Sequence, residues 1–487
     1  MRDKAAAFSN ATDALLQLGV PDVLPKLREA DVFVRRFILG GSHSVVTYPP
    51  LNALQKLEPR DTIHPIYYGE QASLYVHIAF CETMCTFCHY DVKNYRGKKH
   101  SPPSRVQAVE RYLNALKTEM KDWGFELQGS ETVINSIYIG GGTPLVLEKD
   151  QLIDLLQTIR AEFNVREGAE ICVEASPLTI TAEGGLEKLQ ALKEHGATRL
   201  SFGVQSFDDE VLRRAARGYK RETAIRACEL AGQVFDNWNL DLIQSLYKGT
   251  PNEVWENLQV LRQVHPPHLT WYHGRYANRP QGDWYRNIEK QVDFEGEQET
   301  LIGRMLIWEE LADMGYHQID GNRFVLDERY ADPFKKVRTS VSSNLLGLGA
   351  SSYSHVDMRP HPRWFAVPEG VFFRNISGAS DYVVRIEGGD GAVGSALALD
   401  RNEYLAASYV VGLRTGRLDS ENHEWAHPEM VAHYAELERR FVELGLLERC
   451  QIGSEAGIRL TRLGQLLEDE VLSMFYSPGV QELLQPA

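Results

Sequence analysis

Apolar and polar residues change rhythm along this chain, and the first regular rhythm begins at residue 73. Short β-type runs recur from there: SLYVHI (73–78), INSIYI (134–139), EICVEA (170–175), RLSFGV (199–204), NLDLIQ (239–244) and HLTWYH (268–273). Between most of them the apolar residues take a helical spacing. Over 104–123, Val106, Val109, Tyr112, Leu113, Leu116, Met120 and Trp123 fall on one face. Over 149–163, Leu152, Leu155, Leu156, Ile159 and Phe163 do the same. Leu186, Leu189 and Leu192 mark a third helix, and NEVWENLQVLRQV (252–264) a later one. Strands alternating with helices predict parallel β/α units with right-handed crossovers. Periodicity alone leaves open whether the strands close, curve as an open barrel or lie flat.

The flanks behave differently. A lead-in of about 65 residues ends in VVTYPPLNALQKL, whose paired prolines favour an extended path. After residue 300 the alternation fades: TLIGRMLIWEELADMGY (300–316) predicts a helix and NLLGLGASSYSHV (344–356) a tight Gly/Ser-rich turn. From 402 the chain is mainly helical, with YAELERRFVELGLLERC followed by GIRLTRLGQLLEDEVLSMF. Helix, short strand, helix is a winged-helix-like pattern, but without a basic recognition face it reads as a lid or packing domain. GDGAVG (389–394) spells G-x-G-x-x-G, yet no helix opens after it and no suitable acid follows about 20 residues on. It is a loop.

Composition narrows the partners. The 487 residues carry 52 basic and 67 acidic side chains, a net charge of −15. Such a surface repels phosphate backbones, so nucleic acid is not an expected partner. The N-terminal stretch lacks the continuous apolar core of a signal peptide, and no run of about 18 apolar residues appears. The expectation is a cytoplasmic protein with no membrane partner. Six cysteines in a chain of this length are no disulfide framework.

The unusual residues sit at or just past the C-terminal ends of the strands: Cys81, Cys85 and Cys88, then Gly140–Thr143, Glu174, Gln205, Asp241 and Tyr272. Ligand and catalytic groups of β/α folds collect on that edge. The cysteines are spaced C-x3-C-x2-C, with Cys172, Cys228 and Cys450 isolated elsewhere. Free thiols or a zinc site are the plain alternatives. Structural zinc uses paired C-x2-C units and a fourth ligand, and an all-cysteine iron–sulfur cluster also needs a fourth thiolate. Three thiolates on one loop would leave an iron open, which is a catalytic arrangement. GGGTP (140–144) lets a backbone approach a ligand closely; no Gly-Lys-Ser/Thr follows, which argues against a phosphate loop. Arg217 and Asp241 could otherwise form a plain surface ion pair.

The succession LYVHIAFCETMCTFC, YIGGGTP, ICVEASP, RLSFGVQSF, LDLIQSL and LLGLGASSYS resembles the radical S-adenosylmethionine (SAM) superfamily, and within it the oxygen-independent coproporphyrinogen III dehydrogenase-like branch. The resemblance covers roughly residues 45 to 475. It implies a partial (β/α)6 barrel with an N-terminal arm and a mainly helical, winged-helix-like C-terminal domain. The boundaries expected are 1–66 for the arm, 67–310 for the core barrel, 311–395 for a core extension and substrate-facing segment, and 396–487 for the C-terminal domain. It implies a [4Fe–4S] cluster on Cys81, Cys85 and Cys88 whose fourth iron chelates SAM. Tyr75, Phe87, Gly141, Gly142, Thr143, Glu174 and Tyr353 become cofactor-binding residues; Gln205, Arg217 and Asp241 become ligands of a second SAM molecule.

Three departures from the branch shape the functional expectation. Tyr90 stands where the porphyrin enzymes keep a further cysteine. VRTSVSSNLLGLGA lacks the H-N-x-x-Y-W motif of heme-chaperone relatives, and QSLYKGT lacks the proline usual after LIxGL. The remaining likeness is to class C radical SAM methyltransferases and cyclopropanases of natural-product biosynthesis. These use two SAM molecules to place a methyl-derived carbon on an sp2 carbon. His89, Tyr90, Tyr272 and His273 are the candidates for moving a proton. The alternatives are a porphyrin- or heme-directed enzyme and a heme-binding chaperone. The expected partners are a small-molecule substrate, an electron donor such as flavodoxin or ferredoxin, and a carrier protein or partner methyltransferase. Replacing Cys81, Cys85 or Cys88 by Ala should abolish the brown cluster absorption, whereas Cys172→Ala, Cys228→Ala and Cys450→Ala should leave it intact.

Overall fold

Each of the β-type runs forms a strand, and each strand pairs in parallel with the next. They are β1 (Gln71–Ile78), β2 (Val133–Gly141), β3 (Val165–Ala175), β4 (Arg199–Gln205), β5 (Trp238–Gln244) and β6 (His268–His273). The computed structural model describes residues 3–29, 48–56, 69–88, 90–128, 131–247, 250–273, 297–334, 343–358, 369–414, 418, 427–452 and 455–484. The connecting helices α1 (Pro103–Gln128), α2 (Lys149–Glu162), α3 (Gly185–Glu194), α4 (Arg221–Val234) and α5 (Pro251–Val264) lie where the apolar spacing puts them. Their starts are chemically marked. Glu148 and Gln151 form a capping box at α2, and Thr250 accepts from the Glu253 N–H ahead of Pro251 at α5.

The strands are apolar on one face only. Leu74, Val76 and Ile78 of β1, Ile137 and Ile139 of β2, and Leu240 and Leu242 of β5 are buried in the main core. Each such side chain contributes about 1.5–3 kcal/mol. The alternate positions are Ser73, Tyr75 and His77, then Ser136 and Tyr138, then Asn239 and Asp241. Parallel sheets covered on both faces usually read as unbroken apolar runs. Here the second face is polar, because it lines a cleft.

The sheet does not close on itself. Among the described residues it has thirteen strands in one linear order. Beyond β6, after helix α6 (Glu297–Asp313), come the short antiparallel strands 323–325 and 317–318. Beyond β1 come β7 (Leu345–Leu348), parallel to it, then β8 (Tyr353–Asp357), β9 (Gly370–Asn375) and β10 (Val393–Leu399), all antiparallel. The turn expected over 344–356 is therefore a strand pair with its turn confined to 349–352. Leu345, Leu346 and Leu348 are buried, and that burial draws the segment into the sheet. Gly389 and Gly391 take positive φ between α7 (Ala379–Glu387) and β10, so the G-x-G-x-x-G stretch opens a strand and not a helix.

The C-terminal region packs α8 (Arg401–Arg414) and α9 (Pro428–Glu443) beside a hairpin of β11 (Leu447–Ile452) and β12 (Glu455–Leu460), followed by short helices. This is the expected helix-and-wing pattern. The helical run stops earlier than its composition suggests, because Gly445 turns the chain at φ +71° into β11. No helix of the described residues is long and apolar enough to cross a membrane.

One buried carboxylate ties these parts together. Glu119 of α1 accepts from the Gly349 N–H (2.7 Å), Asn375 Nδ2 (2.7 Å) and the Tyr382 hydroxyl (2.6 Å). It thereby joins α1, the turn after β7, β9 and α7. Burial raises its pKa from 4.5 to about 7, against the pull of those three donors. A raised folded-state pKa means stability fully present below the unfolded value and lost as pH climbs through the folded one. Wild type should lose stability between about pH 4.5 and 7 through this group. Glu119→Gln should lack that component, as read by urea titrations across that range.

Candidate functional site

The segment after β1 crosses the mouth of the cleft, and its contacts follow the strand order. Thr143, after β2, donates from Oγ1 to Cys81 Sγ at 3.5 Å. Ser176, after β3, donates to the Glu82 carboxylate. Arg217, past β4, donates from Nη1 to Cys85 Sγ at 3.0 Å. The Thr86 N–H donates to Ala215 O (3.2 Å), and its hydroxyl bonds Arg214 O (3.0 Å) and the hydroxyl of Tyr247, past β5. Phe87 packs against Val211, Ala215, Leu246 and Tyr247. On the other flank, Phe80–Cys81 pairs with Lys93–Asn94, and Asn94 Nδ2 donates to Glu82 O at 2.8 Å.

The three thiols are free of disulfides and partly exposed. Among the described residues no three His, Cys, Asp or Glu side chains are gathered to hold a single metal ion. A cluster that offers each thiolate its own iron asks for wider spacing, and an all-sulfur donor set on one loop suits it. Burial pushes the Cys81 thiol up to about 12, partly offset by the Thr143 hydroxyl; iron bound there would favour its thiolate. Arg217 is buried and makes no ion pair with a carboxylate among the described residues. It donates to Cys85 Sγ, Gly203 O (2.5 Å) and the Tyr219 hydroxyl (3.0 Å). A buried guanidinium needs a counter-charge, and the Cys85 thiolate is in position to provide one. This removes the surface ion-pair reading of Arg217.

The triple glycine supports the loop from below. The N–H groups of Gly142 and Thr143 donate to Ile78 O (2.8 Å) and Phe80 O (2.7 Å), and that of Gly141 to Glu174 Oε2 (3.0 Å). These donors are spent inside the chain, so a ligand there is left the carbonyls. A Cβ at Gly142 would collide with the Phe80 carbonyl oxygen, and one at Gly141, where φ is +98°, with the His77 ring. Glu174 also accepts from the Tyr138 hydroxyl at 2.7 Å.

Other expected site residues separate by depth. Tyr75 stacks on Tyr138 and Phe334, and Tyr353 on Phe372, deeper in the cleft. Below them Arg199, fully buried, reaches His268 Nδ1 (2.6 Å) and Asp332 (3.9 Å), so residues 330–334 pack the lower end. Gln205 takes φ +75°, and its Oε1 is buried without a partner among the described residues. Asp241 accepts from Asn239 Nδ2 at 2.7 Å. Tyr90 and Tyr272 are exposed. His89 lies outside the described residues, as does the side chain of His273. The sequence reading missed His77, Tyr138, Arg199 and Ser176. The first three occupy every-second positions on strands, so the polar alternation carried a signal for them.

Comparison with known proteins gives this geometry its class. Residues 75–263 match the radical SAM superfamily. The relatives it is similar to are heme chaperones HemW and oxygen-independent coproporphyrinogen III oxidases. The Escherichia coli heme chaperone HemW is 34% identical over 201 residues, 41% of this chain and 50% of that protein. Among the more identical relatives the chain thus spans about half their length. The Bacillus subtilis heme chaperone HemW is 26% identical over 410 residues, 83% of this chain and 98% of that one. The structure of coproporphyrinogen III oxidase (HemN) from Escherichia coli, described as a radical SAM enzyme, superposes with a TM-score of 0.69 at 25% identity, covering 84% of this chain and 91% of that one. Members of the superfamily use a [4Fe–4S] cluster and SAM, and need a small-molecule substrate and a reductant.

These relatives correct the expected activity. The chain is not assigned as a class C methyltransferase or cyclopropanase of natural-product biosynthesis, and a partner methyltransferase goes with that expectation. The inference rested on single positions such as Tyr90, whereas the likeness to the HemN and HemW proteins spans more than four-fifths of the chain. Gly142→Ala should displace the Phe80 carbonyl and loosen the cysteine loop. Iron bound per chain after anaerobic reconstitution should fall at least severalfold while the melting transition drops only by the ~1–3 kcal/mol of an overpacked site.

Proposed function

We propose that this protein is a tetrapyrrole-directed radical SAM protein. Its heme chaperone and coproporphyrinogen III oxidase relatives support that reading, and the loop of Cys81, Cys85 and Cys88 across the cleft mouth carries it. The three thiolates hold the cluster. Arg217 balances charge at Cys85, and the Thr143 hydroxyl at Cys81. Carbonyls of the Gly140–Gly142 segment, with Tyr75, Glu174 and Tyr353, line the place for SAM, and Gln205 and Asp241 that for a second ligand. A cluster held there would pass one electron from an external reductant to SAM, whose reductive cleavage gives methionine and a 5′-deoxyadenosyl radical. A flavodoxin or ferredoxin is the electron donor in this reading.

An apolar macrocycle suits the outer surface of the same loop. Met84 (51% exposed) and Tyr90 (55%) are among the few large apolar side chains left open, and Tyr272 (37%) is another. Each exposes area that a flat ring would cover. Tyr90 and Tyr272 also offer hydroxyls for a proton at the substrate, alongside His89 and His273.

The test is anaerobic. Reconstituted protein should bind coproporphyrin III or heme, and release 5′-deoxyadenosine from SAM under a low-potential reductant. Carbon dioxide release from coproporphyrinogen III would define an oxidase-like enzyme; heme retained unchanged and passed to an apo-acceptor would define a carrier. Absence of binding to either tetrapyrrole sinks the proposal.

A further inference from the structure

The cleft continues past β1 onto the strands that the β/α repeat does not include. β7 lies beside β1 with Gly347 opposite Tyr75, and on β9 Arg374 stands opposite Tyr353 of β8. Tyr75, Gly347, Tyr353 and Arg374 thus form one row, on the face that also carries His77. Gly347 contributes no side chain, and a Cβ there would collide with the Tyr353 carbonyl oxygen, so the strands of the two tyrosines approach closely.

Arg374 is half-buried, and among the described residues it donates from Nε to Ser351 O at 3.3 Å. Among the described residues no carboxylate lies within ion-pair distance of it; Asp91 acts on it only from farther off, and burial lowers its pKa. A guanidinium taken from water without a counter-ion is costly, and the described residues offer none within ion-pair distance. Two more polar atoms are left over in the same neighbourhood. Ser351 Oγ is buried without a partner among the described residues, on a backbone held at φ +62° by the Ser351 N–H bond to Ile376 O. His77 Nε2 is also buried without a partner. Burial, reinforced by the charge of Arg374, lowers the His77 pKa to about 4, so the ring is neutral. The Tyr75 hydroxyl and Nδ1 share a hydrogen bond at 3.1 Å; when the hydroxyl is the donor, the ring proton sits on Nε2.

We propose that Arg374, Ser351 and His77 form a carboxylate-binding site that anchors a propionate of the substrate beside the cysteine loop. One forked cation and two neutral donors match a planar two-oxygen anion. The assignment of the anion to a tetrapyrrole side chain rests on the function proposed above. The methionine carboxylate of SAM shares the chemistry, and the experiment separates the two sources.

The cluster-loaded protein is titrated with coproporphyrin III, with its tetramethyl ester and with SAM, by absorbance and fluorescence, for wild type, Arg374→Gln, Arg374→Lys and Ser351→Ala. Wild type should prefer the acid to the ester. Arg374→Gln should lose roughly ten- to hundredfold affinity for the acid, and none for the ester or SAM. Arg374→Lys should recover part of the loss, and Ser351→Ala should show a smaller loss. Melting temperature and cluster absorption serve as folding controls; if Arg374→Gln does not fold, the Lys and Ser351→Ala variants carry the same comparison. Unchanged affinity for the acid in these variants overturns the site, as does equal binding of acid and ester by wild type. A loss confined to SAM reassigns the anion and overturns the substrate anchor. Wild type that binds neither porphyrin defeats the tetrapyrrole reading itself, and the anchor with it.

Discussion

The structure depends on one loop being held at several points while it crosses between strand ends. From the end of β1 to Tyr247, past β5, there are four strand intervals of about 4.8 Å, or roughly 19 Å before any curvature. Eight residues, from Ile78 to Thr86, reach at most about 26–29 Å fully extended. There is little slack for a helix or a hairpin in that span. The loop therefore takes its shape from the rim beneath it, one contact per strand: Thr143, Ser176, Arg217 and Tyr247. Cys81 and Cys85 thus take their places from different β/α units.

That dependence explains the two-sided chemistry of the strands. The outer face is held to the helices by ordinary apolar burial, which fixes the register of every strand. With register fixed, every second position becomes available for polar work on the inner face. Tyr138 supports Glu174, Glu174 holds the Gly141 N–H, and the glycine segment holds the carbonyls that lead into the cysteines. Glycine is needed there for lack of space and not for flexibility, since a Cβ at Gly142 or Gly141 meets the neighbouring strand.

Most of the β/α core was legible in the sequence, because its strands and helices are short amphipathic units whose period survives in the residue order. Helix ends at 128, 162 and 264 fell within a few residues of the apolar pattern. The thiol motif was equally plain, since its three ligands are local. What escaped was what depends on distant pairing. NLLGLGASSYSHV looks like a turn because of its glycines and serines; only pairing with β1 and β9 makes its ends strands. Arg199 and Asp332 are separated by more than a hundred residues, and nothing local marks either as a partner. The activity was misjudged for the opposite reason. Tyr90 is a conspicuous local difference, whereas the likeness to the HemN and HemW proteins is spread thinly over more than four-fifths of the chain.

The packing at the lower end of the cleft has a consequence for ligand length. Phe334 stacks against Tyr75 and Tyr138, and Arg199 with Asp332 fills the space beneath. The upper end is bridged by the cysteine loop. A ligand on the inner face of the sheet would therefore sit between two fixed ends, and its length along the strands is bounded by the distance from Phe334 to the cysteine loop.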